Sequence, residues 1–70
     1  MKINIKPRGF NIEYSKLPVG LFMYKDTICF ITEYDESFIV ESGESFWGGT
    51  SDKLSREKLI CMPLEIEVVE

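Results

Sequence analysis

The chain has 70 residues, too few for two hydrophobic cores, so residues 1–70 are read as one domain with room for one function-bearing surface. An apolar share of 44% and an aromatic share of 13% exclude an intrinsically disordered chain. The absence of histidine excludes the common zinc signatures and any Ser–His or Cys–His nucleophile within one chain. The net charge of −4 is unevenly spread: residues 1–25 carry five basic side chains against Glu13, for +4, and residues 26–70 carry three basic and eleven acidic ones, for −8.

Met1 to Arg8 is basic but has no apolar stretch behind it of the kind a secretory signal needs, and no segment approaches the roughly 20 apolar residues of a membrane span. The expectation is a soluble, cytoplasmic protein. Cys29 and Cys61 lie singly in strand-like runs, which reads as two free thiols acting as small buried hydrophobes.

In chain order, Ile3 and Ile5 alternate with Lys2, Asn4 and Lys6 as in a half-buried strand, which Pro7-Arg8-Gly9 breaks. Phe10, Ile12 and Tyr14 keep period two in a second short strand or extended arm, and Leu17-Pro18-Val19-Gly20 turns the chain into a strand over Leu21 to Tyr24. Lys25-Asp26 is a tight turn into Thr27 to Glu33. That strand is apolar on both faces, Ile28 and Phe30 on one and Cys29 and Ile31 on the other. Ser37 to Glu41 returns from the turn Glu33 to Ser37, and Ser42-Gly43-Glu44 sends the chain back through Ser45-Phe46-Trp47.

Gly48-Gly49-Thr50 is a break, after which Thr50, Ser51 or Asp52 can cap a short helix over Lys53 to Leu59, with Leu54 and Leu59 expected to face the core. Met62-Pro63 suits the start of an edge strand, in which Leu64, Ile66 and Val68 point inward. The tally predicts a mainly β fold: a small antiparallel barrel of five or six strands, SH3-like, with one short helix before the last strand.

The order Leu17-Pro18-Val19-Gly20, Phe22, the hairpin to Val40, Gly43 and Met62-Pro63-Leu64-Glu65 resembles a set of small phage- and prophage-encoded β-barrel proteins. The likeness spans roughly residues 10–69 and is carried by turn glycines and apolar spacing. It implies an accessory protein made inside a bacterial cell, and it brings no catalytic residues with it.

Carboxylates are the abundant reactive groups, and Glu33, Asp35, Glu36, Glu41 and Glu44 fall within twelve residues with no base among them. They lack the spacing of a calcium loop, so neither a metal nor a cofactor is expected. They fit a strip that meets a basic partner, or the solvated end of a hairpin. Without catalytic groups the expected function is protein binding, to a host or phage protein or to a second copy. The candidate contact residues are Trp47, Tyr34, Asp35 and Glu36, with Ile31 and Ile39 on a surplus apolar face that includes Cys29. A barrel that binds single strands through Phe10, Tyr14, Tyr24 and the N-terminal basic residues is the rival, disfavoured by a pI near 4.7. A minor virion component is the third reading.

Overall fold

Ile60–Val69 forms β6, the strand to which the rest of the sheet is attached, and a computed structural model describes residues 2–69 around it. Along one side of β6 run β1 (Lys2–Pro7) and β2 (Ile12–Glu13), both antiparallel to it. The pairs Pro7↔Leu64 and Ile12↔Cys61 show that β6 advances three positions where this flanking chain advances five. The two extra residues bulge outward around Gly9, whose φ of 96° only glycine adopts cheaply, and leave Phe10 exposed.

On the other side, β3 (Gly20–Tyr24) pairs with β6 only at Phe22↔Pro63 and Met23↔Met62. β4 (Thr27–Ile31) and β5 (Ser37–Ile39) complete an antiparallel sheet of order β1-β6-β3-β4-β5. The strand content and the short helix before β6 agree with the expectation from sequence. Among the described residues no ladder joins β5 to β1, so hydrogen bonding leaves the sheet open. Pro63 is not on an edge as expected: it sits where pairing with β3 ends and pairing with β1 begins, and its carbonyl accepts from the Arg8 N–H at 2.7 Å. A residue without an N–H suits that handover.

The core is an aromatic cluster on one face of the sheet. Phe22 meets Phe46 edge to face at 5.3 Å and Tyr14 at 5.8 Å, while Tyr14 stacks on Phe46 at 5.7 Å and Tyr24 meets Phe46 at 5.6 Å. Each such pair contributes about 0.5–1.5 kcal/mol beyond the area it buries. The short strand expected here forms at Ile12–Glu13 but stops before Tyr14, which comes from a single 3₁₀ turn, Tyr14–Lys16, and Phe46 comes from the return loop, which touches β5 through the bridge Phe38↔Ser45. Cys29, Ile31 and Cys61 complete this interior, with Leu17, Ile39 and Leu59 packed against it.

The helix α1, Lys53–Glu57, starts where Asp52 accepts from the Leu54 N–H at 3.2 Å and from the Ser55 hydroxyl at 2.8 Å. Leu59 packs on the core as expected, but Leu54 does not: it is 70% exposed, because five helical residues present only one turn to the sheet.

The other correction concerns β1 and the far half of β6. Beyond Pro63 these two strands pair only with each other, so they leave the body as a two-stranded ribbon, and the molecule measures 42 Å along its longest axis against 25 and 23 Å. Ile66 and Val68, expected inside, are 57% and 58% exposed, and Ile3 and Ile5 opposite them are exposed too. Their alternation is genuine. What is missing is a layer packed over it.

Candidate functional site

The polar end of the molecule is built by two turns and the helix. At the β4–β5 turn Thr32 organises the backbone: its N–H donates to Glu36 O at 2.8 Å, and its hydroxyl accepts from the N–H groups of Tyr34 and Glu36 at 3.2 and 3.4 Å. Asp35 takes φ 63°, a left-handed conformation that its short polar side chain tolerates better than most, and its carboxylate reaches Lys53 Nζ at 3.9 Å. The return loop brings Trp47 beside this turn, and α1 lays the Arg56 guanidinium over the indole, 5.4 Å from the ring centroid.

Asp35, Glu36, Trp47 and Arg56 thus line one crevice, floored by Tyr14, Ser37 and Phe46. The floor is pinned by a 2.6 Å hydrogen bond between the Tyr14 and Ser37 hydroxyls. One wall is acidic, the other is an indole that is 55% exposed. Arg56 Nη1 is shielded from solvent and has no acceptor among the described residues, a state that costs about 1–3 kcal/mol for a neutral donor and more for a charged one.

Of the residues singled out from sequence, three meet here: Trp47, Asp35 and Glu36. Tyr34 stands at the turn tip, 77% exposed, outside the crevice lining. Ile31 and Ile39 do not belong with them. Ile31 is buried in the core together with Cys29, and Ile39 is half-buried against the same cluster, so the surplus apolar face of β4 is the opposite one. Arg56 was missed from sequence. Its only signal was a basic residue in the last turn of a helix, which ordinarily reads as a macrodipole contact.

The apolar face that does lack cover lies on the reverse of the sheet. Leu21 and Met23 of β3, Ile28 and Phe30 of β4 and Phe38 of β5 all point there, and Phe30 and Phe38 lie 5.7 Å apart across their strands. Ile5 and Ile66 of the ribbon continue the same face, so that it becomes a trough of about 450 Å³ between ribbon and sheet, rimmed by Asp26 and Glu41. The sequence showed β4 to be apolar on both sides, but strand parity is symmetric and does not say which side is inside.

Charges and thiols add little chemistry. Lys6 is held protonated above the ordinary lysine range by Glu67 at 3.0 Å and then Glu65 at 3.7 Å, in exposed pairs on the polar side of the ribbon. Burial pushes the Cys29 and Cys61 thiols up to about 11, so both stay neutral and weakly nucleophilic. Strand β3 lies between their strands, a separation of about 9–10 Å that exceeds disulfide reach. Among the described residues no three His, Cys, Asp or Glu side chains gather as a metal site would require, and no helix is long and apolar enough to cross a membrane.

No family model, curated protein or solved structure matches this chain.

Proposed function

We propose that the chain is a non-enzymatic protein-interaction module of phage or prophage origin, acting inside a bacterial cell on a host or phage protein. The observation that carries the reading is the Trp47 crevice: a half-exposed indole beside Asp35 and Glu36, with the Arg56 guanidinium laid over the ring. Tryptophan and arginine dominate interface hot spots. The fitting occupant is an extended, basic peptide segment. Its cationic side chains would meet the acidic wall and their stems the face of the indole.

The rival reading as a single-strand binder loses two of its parts. Tyr14, one of its three stacking rings, is interior, and Lys6 is engaged by Glu65 and Glu67. Nucleic-acid binding remains an outcome of the test.

The test is capture from the native host using wild type, Trp47→Ala and Asp35→Lys/Glu36→Lys, followed by calorimetry with a peptide covering the captured protein's most basic segment. Capture of a protein whose basic peptide binds wild type, weakens about tenfold in both variants and weakens with salt supports the reading. Capture that both variants retain overturns it, as does binding to single- or double-stranded nucleic acid at low salt with no protein captured. Recovery of the chain from purified particles at fixed stoichiometry would assign it to the virion instead.

A further inference from the structure

We propose that the uncovered face of the sheet is the interface of a two-fold homodimer, in which the β1–β6 ribbon of each copy lies in the trough of the other. The surface concerned is distinct from the Trp47 crevice, so the proposal stands apart from the function proposed above.

Area is the first argument. A monomeric protein of 8.1 kDa is expected to expose about 4,500 Å². This chain exposes 5155 Å². The surplus of roughly 650 Å² is near the 800 Å² or so that each partner contributes to a standard interface. One continuous apolar surface is available to supply it, since Ile3, Ile66 and Val68 of the ribbon share a face with Leu21, Met23 and Ile28 of the body. At about 25 cal/mol per Å², covering such a surface is a large driving force for a chain with so small a core.

Shape selects the second copy as the occupant. The ribbon is narrow and apolar on one face, and the trough beside it is a concave apolar strip of strand length. A two-fold axis lets each copy supply one of each, the self-complementary arrangement that closes an oligomer. The ribbon's charges cancel, Lys2 and Lys6 against Glu65 and Glu67, and lie on the face turned away from Ile3 and Ile66, so no net charge opposes bringing two ribbons together. Edge-to-edge addition of two β1 strands about Asn4 would instead place Lys2 opposite Lys6 of the other copy, a like-charge pairing that disfavours the edge route.

The experiment is sedimentation equilibrium of the full chain over micromolar concentrations, beside circular dichroism to confirm the fold of every variant. Wild type is expected to sediment at twice 8.1 kDa. Ile66→Lys and Val68→Lys, at positions more than half exposed, are expected to weaken dimerisation by at least about tenfold while keeping the strand spectrum. A wild type that stays monomeric across that range overturns the proposal. So does a dimer indifferent to both ribbon lysines, and so does a monomer that binds anionic or zwitterionic vesicles through this face. Trp47→Ala is expected to leave the dimer intact, so failure here and failure of the peptide-binding reading are read separately.

Discussion

The Arg56 guanidinium covers the face of Trp47 at 5.4 Å while one of its nitrogens goes without an acceptor. The stacking contributes about 0.5–1 kcal/mol at a partly exposed site, and the unmet donor costs about 1–3 kcal/mol. The second effect is the larger. Arg56→Leu, which keeps an apolar cover on the indole, is therefore expected to be at least as stable as wild type in urea denaturation. Because Trp47 is the chain's single tryptophan, its emission reports the site directly.

The hydroxyl pair Tyr14 and Ser37, 2.6 Å apart, joins the 3₁₀ turn to the start of β5. Tyr14→Phe and Ser37→Ala each leave the other hydroxyl without its partner, and each is expected to cost about 1 kcal/mol. The double variant is expected to lose less than the sum of the two, which a double-mutant cycle by denaturant titration measures.

Gly48 takes φ 62°, and a Cβ built on it overlaps Leu59 Cδ1 and presses on Phe46 Cζ at 3.2 Å. Gly48→Ala therefore combines left-handed strain with overpacking, for a loss of about 2–3 kcal/mol in thermal or urea unfolding. Gly49, at φ 80° with open space around it, is expected to lose only the strain, about 1 kcal/mol, on the same substitution.

Alkaline stability follows from the two thiols. Both titrate near 11 in the folded chain against 9.0 for an ordinary thiol, with burial as the leading cause. Their contribution is complete below the unfolded value and is lost as pH rises from 9.0 toward 11, because only the unfolded chain releases the protons readily. Urea midpoints measured across that window are expected to fall, and to fall less steeply in Cys29→Ala, whose baseline is lower because of the cavity it leaves.

Asp52 titrates below the ordinary carboxylate range, chiefly through its hydrogen bond from Ser55 and then from Leu54. The cap is thus intact above the ordinary carboxylate pKa and is lost as pH falls through the lowered one. Asp52→Ala is expected to lower the urea midpoint at neutral pH, and Asp52→Asn much less. In the alanine variant Trp47 emission is expected to shift to the red as α1 frays and Arg56 leaves the ring.

Local chemistry was legible in the sequence, and distant packing was not. The Lys25-Asp26 turn, the Asp52 cap and the alternation in β1 and β6 each depend on a few neighbouring residues, and each lies where the pattern puts it. Which face of β4 is interior depends on Tyr14, Phe46 and Leu59 arriving from three separate segments to cover Cys29 and Ile31. Nothing within β4 encodes that. The same reasoning separates the candidate residues: Asp35 and Glu36 follow from one turn and can be placed, whereas the covering of Trp47 by Arg56 requires a helix whose orientation is set by its contact with the distant Tyr14–Lys16 turn.

Since Lys2 to Lys6 hydrogen-bond to no strand but β6, the ribbon and the body do not share one cooperative fate. In a single copy the distal amides of β1 and their partners in β6 can unzip from the tip while Phe22, Cys29 and Cys61 stay enclosed, so in dilute chain deuterium should enter the ribbon long before it reaches the aromatic centre, and docking in a second copy should slow that entry. A chain built this way keeps a loosely held limb on a firmly held trunk.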